Sequence, residues 1–268
     1  MKKKRLSLLD GNNKNIMFLT EEQKDRYHRQ IILPEVKEEG QKKLLKAKVL
    51  LIGAGGLASA AAYYLAAAGV GKIGLVDGDR LERSNLQRQI LHQTARLGEP
   101  KVISARQTLT ALNPEIEITT YQENLTVSNA LKLIQSYDLV LDCSDNFATR
   151  YLTNKTCVIV QKPMIYGAVS HFEGQAMTIL PGVGPCYCCL YPEPSLTGAI
   201  PSSKEVGVIG VLPGLIGVIQ ATEALKFVLQ QGKLLVGELL MYNALTLEFF
   251  KLKIKRNPRC SVCGINNK

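Results

Sequence analysis

A glycine-rich turn, Gly53-Ala54-Gly55-Gly56-Leu57-Ala58, lies between the apolar run Lys48-Val49-Leu50-Leu51-Ile52 and an alanine-rich stretch from Leu57 to Ala68. The short apolar run suits a buried parallel strand, and the alanine-rich stretch suits a helix. Gly53 permits the tight turn between them. Gly55 lets the backbone come close to a ligand, so that N–H groups at the helix start face an anion. A second run, Lys72 to Val76, ends in Asp77, where a carboxylate can accept hydrogen bonds from a ribose. This pattern predicts an α/β chain with a Rossmann-like, mostly parallel sheet, helices on both faces, and a nucleotide at the turn. At this stage NAD and ATP fit equally well.

The following segment favours ATP. Arg88 and, thirteen residues on, Lys101 place two cations after the ribose carboxylate, where an NAD site has little use for them and a triphosphate does. Lys101 opens a helical pattern of Val102, Ala105, Leu109 and Leu112 that ends at Asn113-Pro114. Farther along, Leu139 to Leu141 reads as a strand running into Asp142-Cys143-Ser144-Asp145-Asn146. Open α/β sheets bind ligands at the carboxyl ends of such strands, and Mg²⁺ is commonly held there by one or two carboxylates together with phosphates. Asp145 is the expected Mg²⁺ ligand. Capping of the next helix is its competing role.

The chain has seven cysteines, four of them in the pairs Cys186/Cys189 and Cys260/Cys263. Two such pairs suit a tetrahedral, structural zinc site that staples the segment after the sheet to the carboxyl-terminal region. A disulfide framework is the alternative. The lysine-rich start has no apolar signal core, so a reducing cytoplasm is expected. Cys188 is left over, and Cys143 and Cys157 are expected to be buried packing residues.

Taken in order, Tyr27-His28-Arg29-Gln30-Ile31, the turn at 53–58, Leu75 to Gln89, Gly98-Glu99-Pro100-Lys101, Leu141 to Asn146, the two cysteine pairs and Arg256 to Gly264 resemble the MoeB/ThiF/HesA family. These are ubiquitin-activating-enzyme-like adenylyltransferases. The resemblance implies ATP-dependent adenylation of the C-terminal glycine carboxylate of a small ubiquitin-like sulfur carrier protein of the MoaD or ThiS type, ending in Gly-Gly. It implies that Gly53, Gly55 and Gly56 form the nucleotide turn, Asp77 binds ribose, Asn85, Arg88 and Lys101 hold the phosphates, and Asp145 binds Mg²⁺. It also implies a homodimer in which Arg29 reaches the other subunit's phosphate site. A glycine carboxylate is already ionised at neutral pH, so the reaction needs alignment and cations rather than a general base. His28, His92 and His171 are accordingly expected to be surface or local structural residues.

Two positions depart from the family pattern. Ala58 stands where many members have glycine. Ser203 stands where relatives commonly have a cysteine, so adenylation is supported and a covalent thioester step is not. No rhodanese-like segment follows Lys268, so a separate sulfur donor is expected. A relative that activates a carboxylate on modified tRNA would also use an ATP site and a basic surface. The paired CxxC motifs favour a protein substrate instead.

The 268 residues, 46% of them hydrophobic, suffice for one large core. No uninterrupted apolar run long enough to span a membrane is evident, and no internal repeat. Residues 1–20 are expected to be a disordered basic tail, and 21–268 a single domain. Its ATP-binding core would cover about 46–168, and a carrier-binding, zinc-stapled region about 169–268. That second region would be antiparallel from His171 to Leu180, helical from Leu215 to Gln230, and extended at Leu239 to Asn243 and Thr246 to Lys253. Pro181 to Ser203 is expected to be mobile except where the cysteines pin it. The net charge of +10 is concentrated towards the ends without a base-reading module, so an acidic protein partner is expected rather than nucleic acid.

Overall fold

The computed structural model describes residues 18–192 and 207–264. Ser203 and most of the expected basic tail lie outside these described residues. Leu19 is buried and Thr20 caps the first helix, α1 (Glu21–Arg26), so these residues belong to the domain rather than to the tail.

Eight strands form one sheet. In chain order they are β1 (Lys48–Ile52), β2 (Lys72–Val76), β3 (Glu117–Tyr121), β4 (Leu139–Asp142), β5 (Met164–Ser170), β6 (Glu173–Ile179), β7 (Glu238–Asn243) and β8 (Glu248–Lys253). Their order in space is β3-β2-β1-β4-β5-β6-β7-β8. The pairs from β3 to β5 are parallel and those from β5 to β8 antiparallel. The helices α2 (His28–Ile31) and α3 (Lys37–Lys46) follow α1 and lead into β1. A parallel pair needs a crossover, and four further helices supply them: α4 (Gly56–Ala67), α5 (Lys101–Leu112), α6 (Val127–Gln135) and α7 (Phe147–Ile159).

Strand alternation divides the core between two faces. Val49 and Leu51 pack with α4, α5 and the long helix α9 (Val211–Leu229), while Leu50 and Ile52 pack with α6, α7 and the short helix α8 (Tyr187–Leu190). Both faces are therefore covered, which is why β1 reads as an almost unbroken apolar run. At the antiparallel edge β8 exposes every residue.

α9 begins four residues before the expected Leu215. Pro213 falls within its first turn, where backbone N–H groups have no helical partner and a missing one is tolerated. The helix ends at Gln230 in the left-handed conformation. β8 begins at Glu248 rather than Thr246 because Leu247, at φ 59°, belongs to the turn. By length and composition α9 could cross a membrane, contrary to the sequence expectation. Its apolar character comes from lying across α4 and β5 in the core, where Gln220 donates to the carbonyls of Asp142 and Ile165.

α9 and α4 approach closely at Gly217, where an added Cβ would stand 2.2 Å from the Leu57 carbonyl oxygen. Gly217→Ala is therefore expected to push α9 outward and destabilise the fold by roughly 1–3 kcal/mol, measured by denaturant unfolding.

Candidate nucleotide pocket and cysteine cluster

The chain leaves β1 towards β2, whereas β4 lies on the other side of β1, so a crevice opens between the loops following β1 and β4. Those loops are in close contact. Gly53 has φ 99°, and an added Cβ would lie 2.8 Å from the Cys143 carbonyl oxygen. A cavity of about 420 Å³ opens over the crossing. Seven of the expected residues line it: Gly53, Gly55, Gly56, Asp77, Arg88, Lys101 and Asp145.

Asp77 closes the glycine turn from below. Its Oδ2 accepts the Ala54 N–H at 2.8 Å and its Oδ1 accepts the Asp79 N–H at 2.8 Å. Each oxygen keeps a lone pair for a ligand hydroxyl. Burial raises the Asp77 carboxyl above its ordinary value, opposed by Lys101 and the two N–H groups. Lys101 is buried at the start of α5, and its Nζ donates to Asp79 Oδ2 at 2.7 Å. Arg88 is anchored through Nη1 to the Ser84 carbonyl.

His92 is a structural brace behind the turn. Its Nε2 lies 2.9 Å from the Ala54 carbonyl, which can only accept, so Nε2 carries the proton and Nδ1 accepts from Ser104 Oγ at 3.0 Å. Burial lowers its pKa from the ordinary value.

The loop after β4 assigns the helix cap to Asn146 rather than Asp145. Asn146 caps α7 by accepting the Thr149 N–H at 2.9 Å, leaving Asp145 exposed at the pocket. Asp142 belongs to the strand and is fully buried; its Oδ1 accepts the Ser144 N–H at 3.0 Å and the Ser144 hydroxyl at 2.6 Å. The sequence reading missed Arg150, which also lines the pocket and is buried. Its spacing, one helical turn after the capping Asn146 and therefore facing the same loop, was the available signal.

Two expected residues stand apart from the cavity. Arg29 lies exposed on α2 (His28–Ile31), beside a shallow depression shared with Tyr64 and Leu225. Asn85 is engaged in a turn, its Oδ1 accepting the Glu82 N–H at 3.0 Å, while its carbonyl accepts from Arg88 and Gln89.

On the face of the sheet covered by α7 and α8, the sulfurs of Cys186, Cys189, Cys260 and Cys263 lie within 4.8 Å of one another. The separations of Cys186 from Cys260 and of Cys189 from Cys263 are 3.6 and 3.4 Å. A tetrahedron with about 2.3 Å metal–sulfur bonds has edges of roughly 3.8 Å, so the four positions fit one zinc ion. No disulfide joins any of the seven cysteines among the described residues, so the disulfide alternative is not realised there. Cys188 lies outside the cluster, buried, with Asn154 Nδ2 donating to its sulfur at 3.5 Å. Cys143 and Cys157 are buried in the core as expected.

The switch-point crevice, its glycine turn and the cations around it define a nucleotide-binding α/β enzyme. Residues 27–262 match the ThiF family, and the chain belongs to that family. It is 51% identical to the sulfur carrier protein adenylyltransferase of Thermus thermophilus, covering 92% of this chain and 93% of that one. It is 47% identical to the SAMP-activating enzyme E1 of Haloferax volcanii, covering 90% and 89%. Identity to the adenylyltransferase and sulfurtransferase MOCS3 of Drosophila ananassae is 45%, over 89% of this chain and 53% of that longer protein. The chain is an adenylyltransferase. Its fold matches that of Escherichia coli MccB, solved with AMPCPP and MccA, at a TM-score of 0.78 with 24% identity, covering 92% of this chain and 75% of that one.

Because folding lowers the His92 pKa, the unfolded chain binds a proton more readily. The contribution of neutral His92 is complete above its unfolded pKa of about 6.5 and is lost as pH falls through the lower folded value. Unfolding free energies measured between pH 7 and 5 should decline, and His92→Gln should flatten that decline.

Proposed function

We propose that the enzyme adenylates the C-terminal glycine carboxylate of a small ubiquitin-like sulfur carrier protein ending in Gly-Gly, releasing pyrophosphate. The carrying observation is that one cavity gathers the glycine turn, Asp77, the cations Arg88, Lys101 and Arg150, and a carboxylate free of helix capping. In this reading Asp77 binds the ribose of ATP, Arg88 and Lys101 hold the phosphates, and Asp145 holds Mg²⁺. Asn85 supports Arg88 through its turn. The carrier carboxylate attacks the α-phosphorus, and pyrophosphate leaves. Cations offset the repulsion between two anions, and Mg²⁺ bound with ATP supplies further charge neutralisation.

Arg29 is assigned to the phosphate site of a second copy in a homodimer. Exposed Tyr64, beside Arg29, and the neighbouring exposed Ile32 and Leu33 support a covered face there. The carrier body is assigned to the region after residue 168. There β8 exposes Phe249, Phe250 and Leu252 alongside Lys251 and Lys253, a surface suited to an acidic partner with an apolar patch. The four-cysteine cluster is assigned to zinc, the protein to the reducing cytoplasm, and sulfur delivery to a separate donor. Burial of the Cys188 thiol supports an adenylate that stays non-covalently bound.

Carrier-dependent exchange of labelled pyrophosphate into ATP tests the assignment. Arg88→Ala and Asp145→Ala should each reduce exchange by about a hundredfold or more while the protein remains folded. Exchange supported by tRNA instead of any Gly-Gly carrier, or NAD binding without exchange, would overturn it.

Elemental analysis of protein purified under reducing conditions should give one zinc per chain. Cys260→Ala or chelation should lower Tm, because metal binding to the folded site contributes directly to folding free energy.

A further inference from the structure

The loop carrying Asp145 is held from inside the protein. Ser144 is fixed at three atoms: Asp142 Oδ1 accepts both its N–H and its hydroxyl, and Arg150 Nη2 donates to its carbonyl at 3.1 Å. On the other side of Asp145, Asn146 is fixed as the α7 cap. Asp145 is therefore an exposed residue held between two immobilised neighbours.

Arg150 forms the centre of this arrangement. Only 8% of it is exposed, and its guanidinium lies 5.5 Å from the ring centre of Phe147 and 5.7 Å from that of Tyr166. Its charge faces Asp142 without a direct ion pair among the described residues. Asp142 Oδ2 and Arg150 Nε, both buried, have no hydrogen-bond partner. A charged pair buried with unmet atoms is a poor way to gain stability, since apolar residues of similar volume usually serve as well or better. Buried unpaired groups in a native protein call for an explanation.

We propose that Arg150 is a positioning residue: by gripping the Ser144 carbonyl it fixes the peptide that aims the Asp145 carboxylate at nucleotide-bound Mg²⁺. The inference rests on the assignment of Asp145 as the metal ligand. Groups that orient metal ligands from behind typically change metal affinity by about 10–100-fold when altered. Arg150→Lys retains a cation near Asp142, preserving the fold, but its ammonium lacks the planar fork that lies between two rings while reaching Ser144.

Calorimetric titration with ATP, in EDTA and in excess Mg²⁺, tests the proposal without relying on turnover. Arg150→Lys should leave affinity in EDTA within about twofold of wild type, while the gain in affinity on adding Mg²⁺ falls by roughly tenfold. Ser144→Ala, which removes one of the three grips, should lose part of that gain and provides an independent test if Arg150→Lys does not fold. Loss of affinity in EDTA with the Mg²⁺ gain intact would overturn the proposal, because Arg150 would then touch the nucleotide itself. So would unchanged binding under both conditions. Asp145→Asn separates the two levels: if it loses the Mg²⁺ gain and the Arg150 and Ser144 variants keep it, the positioning role alone fails. If Asp145→Asn keeps the gain, the metal assignment fails and the positioning role fails with it.

Discussion

Everything in the nucleotide pocket depends on the contact between the backbone at Gly53 and the Cys143 carbonyl. Two parallel strands end side by side there, and the loops that leave them turn apart within a space that excludes even one methyl group. The positive φ at Gly53 starts α4 immediately after β1, directing its first N–H groups into the crevice. The Asp77 carboxylate then fastens Ala54, and His92 fastens the same residue through its carbonyl. The amino-terminal end of α4 is thus held without a ligand, so little ordering would remain to oppose binding of one.

Much of this was legible in the sequence because the responsible residues are neighbours along the chain. The strand-turn-helix unit, Asp77, and the Lys101 that opens α5 all follow from local pattern. What local pattern does not carry is contact between distant segments. Pro213, 160 positions beyond Gly53 in the 268-residue chain, lies so near Gly56 that an added Cβ would come within 3.0 Å of it. The Lys101 Nζ–Asp79 contact ties the loop after β2 to the start of α5, and no local pattern marks it. Arg150 is one polar position on a helix in the sequence, and the face of Tyr166 reaches it only when β4 and β5 pair.

α7 connects the two chemically distinct regions of the molecule. Its first turn is capped by Asn146 beside the exposed Asp145, and its third reaches the cysteine-rich knuckle, where Asn154 accepts the Tyr187 N–H and donates to Cys188. Between these, Tyr151 packs edge-on against Tyr187. A rigid helix fixed at both ends keeps the pocket loop and the knuckle in one frame although they lie about 40 residues apart in sequence.

The cysteine cluster also bears on the chain before it folds. Cys186 and Cys260 are 74 residues apart, and between them lie α9, β7 and β8. An ion held by the four sulfurs would close the polypeptide over that span into a ring. By the loop-closure relation used for covalent cross-links, a ring of that size would remove about 4.5 kcal/mol worth of disorder from the chain wherever the ion stayed bound during folding. The antiparallel end of the sheet, where β7 and β8 are joined by a short hairpin and end in an uncovered edge, would then search for its partners from within a tether.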